Sequence, residues 1–176
     1  MKRVKITLLI VAMAFGATFS NAQQPSVTLD FDNGKTAMET LKKYVTAIQN
    51  ADVENISNLM TKDAMVYGLG SGLDSLNVTQ HKDYWINSLA NYNHNISKDL
   101  YLPVKVENSW NEGEWLLTWG VNTLENNKTG VVTPVPYHIA AVVKDDKIAA
   151  MYYYLDYISL LTKQGYTVIP PDTAKK

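Results

Sequence analysis

Hydrophobic positions recur along this chain with two periods, and the change from one to the other divides it. Leu41, Tyr44, Val45 and Ile48 stand at i, i+3, i+4 and i+7, the mark of one apolar helix face. Asn50 and Ala51 interrupt that stripe. Asp52 is then placed to cap a second helix carrying Ile56, Leu59 and Met60. After Lys62 and Asp63 a short apolar run over 64–67 reads as a first strand, and Gly68, Gly70 and Gly72 mark a loop over 68–77. A third helix is predicted over 79–91, with Tyr84, Trp85, Ser88 and Leu89 clustered on one side. From there the period falls to two. Strands are predicted over 100–107 and 115–125, separated by the turn residues Asn111 and Gly113. Two more, over 131–144 and 147–156, meet at Asp145-Asp146, a two-residue hairpin signal, and a short helix follows over 157–163. Trp115, Leu117, Trp119 and Val121 alternate with Leu116, Thr118, Gly120 and Asn122, so the first set is expected to form the apolar face. The order α, α, β, α and then a run of strands predicts an α+β domain, its helices against one side of a curved antiparallel sheet.

The first residues follow a different rule. Lys2, Arg3 and Lys5 precede an apolar run over 6–15, and Ser20 and Ala22 put small residues at the −3 and −1 positions of a cleavage site. That order is expected of a secretory signal peptide over 1–22, which directs the protein to the periplasm or outside the cell. The chain has no cysteine, so a lipid anchor attached to one is excluded and no membrane anchor is expected. Residues 23–34 are polar and aperiodic and read as a flexible leader. Residues 35–171 make a single domain, and 172–176 a tail.

Charge narrows the choice of partners. Arg3 is the only arginine, and beyond the signal peptide 13 lysines face 17 acidic residues. A domain without an arginine fork or a basic stripe is a poor candidate for nucleic acid. His81, His94 and His138 lack metal-ligand spacing, and there is no glycine-rich phosphate loop, nucleophile elbow or cysteine nucleophile. No metal and no cofactor is therefore expected.

Two segments carry a family likeness. The run LKKYVTAIQNADVENISNLMTKDAMVY over 41–67 and the closing run DDKIAAMYYYLDYISLLTKQGYTVIPP over 145–171 resemble the two ends of the NTF2-like superfamily. The likeness is to its SnoaL-like branch of polyketide cyclases and ketosteroid isomerase. Asp146 stands where the family's last hairpin usually has glycine. The resemblance implies a cone-shaped fold with a pocket at its open end, and a homodimer formed through the outer face of the sheet. It places Tyr44 on the isomerase's oxyanion-hole tyrosine. The isomerase's carboxylate base falls on Gly68 and its second aspartate at about Tyr137, so two of three catalytic groups are missing and that activity is not expected. The cyclases carry an acid/base aspartate on the same later strand, and His138 lies within one residue of it. A histidine can accept and donate a proton near neutrality.

Each candidate has a plainer reading beside it. If Tyr137 and Ile139 face the cone, His138 points to the outer surface, because a one-residue slip reverses the face. Asp156 is either a pocket acid or the N-cap of the helix over 157–163. Tyr44, Tyr67, Trp85, Trp119, Tyr137, Tyr152 and Tyr154 are expected to line the cone, although each taken singly is ordinary core. Together they describe an apolar wall with phenol and indole donors, suited to a small apolar or aromatic ligand. Three functions follow: an exported binder of such a molecule, a cofactor-free acid/base cyclase, isomerase or lyase, and a structural or interaction domain with a filled cone.

Overall fold

A computed structural model describes residues 25–70 and 74–169; the signal-peptide and tail readings lie outside these residues. The predicted helices and turns form where their caps stand. Helix α1 (Gly34–Gln49) buries Leu41, Tyr44, Val45 and Ile48 and ends at Asn50. Ala51 follows with a positive φ of 55°, which reverses the chain. Asp52 caps α2 (Val53–Asn58) by accepting from the Asn55 amide at 3.0 Å. Helix α3 (Val78–Asn91) begins with a reciprocal capping box, in which the side chains of Asn77 and Gln80 each accept from the other's backbone amide at 3.0 Å. The Asp145-Asp146 turn has φ of 48° and 58°, the paired left-handed geometry that matches the twist of a tight hairpin.

Among the described residues seven strands make one sheet: β1 (Ser26–Thr28), β2 (Met60–Tyr67), β3 (Ser75–Asn77), β4 (Tyr92–Glu107), β5 (Gly113–Asn126), β6 (Val132–Lys144) and β7 (Lys147–Leu155). Their order is β1-β4-β5-β6-β7-β2-β3, and the short helix α4 (Tyr157–Lys163) follows β7. Neighbours are antiparallel except β2 and β7, which run parallel, so the sheet is mixed. Four strand assignments extend the sequence reading. Part of the leader is β1, paired with the end of β4; β2 starts at Met60, expected on the second helix, rather than at 64; part of the glycine-rich loop is β3; and β4 starts at Tyr92 rather than at 100. Among the described residues no helix is long and apolar enough to cross a membrane.

The helices cover one face of the curved sheet and leave the other bare. Rungs across the covered face run Leu116–Ala141–Met151, Thr118–Ile139–Tyr153 and Gly120–Tyr137–Leu155. The β5 expectation is therefore reversed: Leu116, Thr118 and Leu124 are buried, while Trp119 is 40% exposed on the bare face. Bulk decides the phase. Thr118 and Gly120 leave room beneath the helices for the rings projecting from β6 and β7. A methyl group on Gly120 would come within 2.8 Å of the Tyr137 ring and hydroxyl.

Candidate functional site

A cavity of about 380 Å³ lies between the helices and the covered face of β4–β7. Val45 and Ile48 of α1, Trp85 and Ser88 of α3, and Leu160 and Leu161 of α4 form its helical side. His94, Asn122, Tyr137, Ile139 and Tyr153 form much of its sheet side, and among the described residues no Lys, Arg, Asp or Glu lines it. The sequence holds α4 against the sheet through Gln164, which accepts from Asn126 Nδ2 at 3.0 Å and donates to Thr133 Oγ1 at 2.9 Å.

Two polar groups of side chains are set into this apolar wall. The first lies mostly behind it. Tyr153 donates its hydroxyl proton to the Tyr44 oxygen at 2.8 Å, and the Tyr44 hydroxyl is 2.9 Å from His81 Nε2. The Trp85 indole N–H, which can only donate, points to His81 Nε2 at 2.9 Å and to the Tyr44 oxygen at 3.2 Å. His81 Nε2 is thus an acceptor and its proton sits on Nδ1, which is buried without a partner among the described residues. Burial lowers His81 to about 4 and raises Tyr44 and Tyr153 well above an ordinary phenol, so the whole network is neutral at pH 7.

The second group lies in the cavity wall itself. The buried imidazole of His94 on β4 is held at both nitrogens, with Ser88 Oγ 3.0 Å from Nε2 and Asn122 Nδ2 2.9 Å from Nδ1. Burial lowers His94 to about 4, against the opposing hydrogen bond from Asn122. The Asn122 Oδ1 and the Tyr137 hydroxyl are buried with no hydrogen-bond partner among the described residues. Burial pushes the Tyr137 phenol up to about 12, so it too remains a neutral donor.

Of the residues expected to line the cone, Trp85 and Tyr137 do so. Tyr44 stands behind the wall and reaches it through Tyr153 and Trp85. Tyr67, Trp119, Tyr152 and Tyr154 do not line the cavity, because their strands present the opposite phase to the helices. They stack on the bare face instead: Tyr67 on Tyr152 at 4.7 Å, and Trp119 and Tyr154 on either side of His138 at 4.7 and 5.6 Å. His138 is on the bare face for the same reason, with Nδ1 donating to the Thr118 carbonyl at 3.1 Å. That placement is the one expected if Tyr137 and Ile139 face the cone, and it removes His138 from the cavity. Asp156 is corrected as well. It caps α4, accepting from the Ser159 amide at 2.9 Å and the Ser159 hydroxyl at 2.6 Å. These hydrogen bonds hold its carboxyl below the usual range, the reverse of a pocket acid.

Sequence reasoning missed Ser88, His94, Asn122 and Tyr153 as cavity groups, and gave no sign that His81 is fully buried. A signal for His94 exists. Tyr92, His94 and Ile96 alternate with Asn93, Asn95 and Ser97, the period-two pattern of a strand. Among the described residues no three His, Asp or Glu side chains converge as metal ligands would.

No family model and no curated protein matches the sequence. Solved structures do resemble the fold. A candidate isomerase from Bacillus subtilis superposes with a TM-score of 0.64 at 14% identity, covering 80% of this chain and 100% of its own. A candidate polyketide cyclase from Xanthomonas campestris pv. campestris gives 0.63 at 12% identity, covering 75% and 98%. A protein of ketosteroid isomerase-like fold from Catenulispora acidiphila, in complex with trimethylamine, gives 0.58 at 13% identity, covering 75% and 98%. At such identities the likeness establishes the fold alone: this is the α+β, cone-shaped NTF2-like fold of the cyclases and isomerases.

Proposed function

We propose that the protein is an exported binder of a small apolar molecule held in the cone. The observation that carries this reading is the 380 Å³ cavity, walled by aliphatic and aromatic side chains and, among the described residues, by no charged ones. Such a pocket draws its affinity from apolar burial, and its few polar groups orient the ligand. The open volume weighs against a cone filled by its own side chains. A neutral imidazole in the wall, His94, favours a second reading as a cofactor-free acid/base enzyme. Lowered to about 4, however, it is a weak base at neutral pH, so binding is the stronger reading.

Tryptophan fluorescence tests the proposal, because Trp85 lines the cavity and Trp110, Trp115 and Trp119 do not. Titration with a panel of steroids and polycyclic phenols is expected to perturb the emission of the wild type. The saturable part of that change should disappear in Trp85→Phe. No saturable response across the panel would return the cone to a structural role.

The bare face supports the proposed homodimer. Leu100, Trp119, His138 and Tyr154 make one rung across four strands, with Leu100 61%, Trp119 40% and Tyr154 59% exposed. Light scattering at tens of micromolar should give a dimer mass. Export is proposed from the basic, apolar and small-residue order of 1–22 and is checked by a mature N-terminus at Gln23.

A further inference from the structure

The geometry points to Ser88, His94 and Asn122 as a recognition site for a neutral hydroxyl group, an alcohol or phenol carried on an apolar body. This rests on the pocket reading above and specifies the chemistry of the ligand's polar end. A neutral imidazole has one N–H and one acceptor nitrogen, so the position of its proton sets the roles of both neighbours. In the observed arrangement Asn122 Nδ2 donates to His94 Nδ1. The proton is then on Nε2 and is donated to Ser88 Oγ across 3.0 Å. The Ser88 O–H is then left free to donate, and the Asn122 Oδ1 lies buried in the cavity wall beside it, without a partner among the described residues.

Turning the amide and moving the imidazole proton to Nδ1 exchanges these roles. Ser88 then donates to Nε2 and offers lone pairs to the cavity, while Asn122 offers its N–H. Either way the wall presents one unmet donor beside one unmet acceptor. A hydroxyl group answers both, since it donates one hydrogen bond and accepts others. An ionised carboxylate or ammonium answers only one kind, and among the described residues no side chain of opposite charge lines the cavity to offset its desolvation.

Isothermal titration calorimetry of the mature protein at pH 7 with naphthalene, 2-naphthol and 2-naphthoate separates the possibilities on one carbon skeleton. The expected result is 2-naphthol binding about tenfold tighter than naphthalene, with 2-naphthoate the weakest of the three. In Asn122→Leu the naphthol-to-naphthalene ratio should fall to about one, since the imidazole loses its partner and the cavity its free acceptor. Ser88→Ala is a smaller change to the wall and should lower the same ratio severalfold. Equal affinity for naphthol and naphthalene in the wild type, or an unchanged ratio in both variants, overturns the hydroxyl site and leaves the pocket standing. Tighter binding of 2-naphthoate overturns the neutral class. No binding of any of the three overturns the pocket reading and this inference with it.

Discussion

The two faces of the sheet are built from similar residues and behave differently. On the covered face Tyr137 and Tyr153 are buried, and the Tyr153 hydroxyl is tied through Tyr44 to His81. On the bare face Trp119, His138 and Tyr154 stack on one another, with Trp119 and Tyr154 still exposed to solvent. Aromatic content therefore does not identify a pocket. What sets the proposed site apart is the helical roof, which removes water, keeps the imidazoles neutral and leaves the phenols and the amide as directional groups. The same residue types without a roof make a flat surface suited to a second copy of the chain.

Adjacent residues on β6 give the sharpest way to break that comparison. Ile139 is fully buried on the covered face, and its neighbour Ala140 points to the other side. Ile139→Asp puts an unpaired carboxylate beneath the roof and should cost more than about 4 kcal/mol, enough to unfold much of the protein. Ala140→Asp should leave folding within about 1 kcal/mol of wild type and convert the proposed dimer to monomer. Circular dichroism and light scattering read both. Equal unfolding by the two substitutions would erase the distinction between the faces.

Acid should attack the covered face next. An unfolded histidine titrates near 6.5, whereas His81 and His94 are held down to about 4 by burial. Above pH 6.5 both states are neutral and these residues take nothing from stability. As the pH falls from 6.5 towards 4, the unfolded chain binds protons that the folded chain refuses. The expected loss is about 3 kcal/mol for each histidine once the fall is complete. Urea midpoints should decline between pH 6.5 and 5, and the decline should flatten in the double variant His81→Gln/His94→Gln. A wild-type profile already flat over that interval would contradict the burial of both rings.

The smallest effect is expected at Asp156. Asparagine caps a helix as well as aspartate does, so Asp156→Asn should leave stability nearly unchanged. Ligand affinity should be unaltered, because the carboxylate caps α4 and does not line the cavity. A marked loss of binding in calorimetry would restore a pocket role to this residue.

The helices, caps and hairpin were legible because each carries local chemistry: Asp52, the Asn77–Gln80 pair and Asp145-Asp146 act on their own neighbours. Strand phase was not legible. Trp115-Leu116-Leu117 on β5 and Met151-Tyr152-Tyr153 on β7 are apolar in both phases, so alternation names no inner face. The choice depends on which set fits beneath helices distant in sequence, and Thr118 and Gly120 fit where Trp119 would not. Tyr44 and Trp85 were legible because a helix shows its apolar stripe openly. His94 lies among asparagines and serines, outside the strand predicted over 100–107, and Asn122 lies on the phase of β5 expected to be mixed, so neither reads as a pocket group until β4 and β5 bring them together. A bulge after Ser97, with Lys98 at a φ of 57°, further hides the strand period of β4.

Methyl chemical shifts test most directly whether the roofed face is the binding face. With 2-naphthol added to protein carrying labelled valine, leucine and isoleucine methyls, Val45, Leu69, Val135 and Ile139 around the cavity should shift together and saturate. Leu100 and Val142 on the bare face should stay in place. Shifts confined to Leu100 and Val142 would contradict the account and make the bare aromatic face the site.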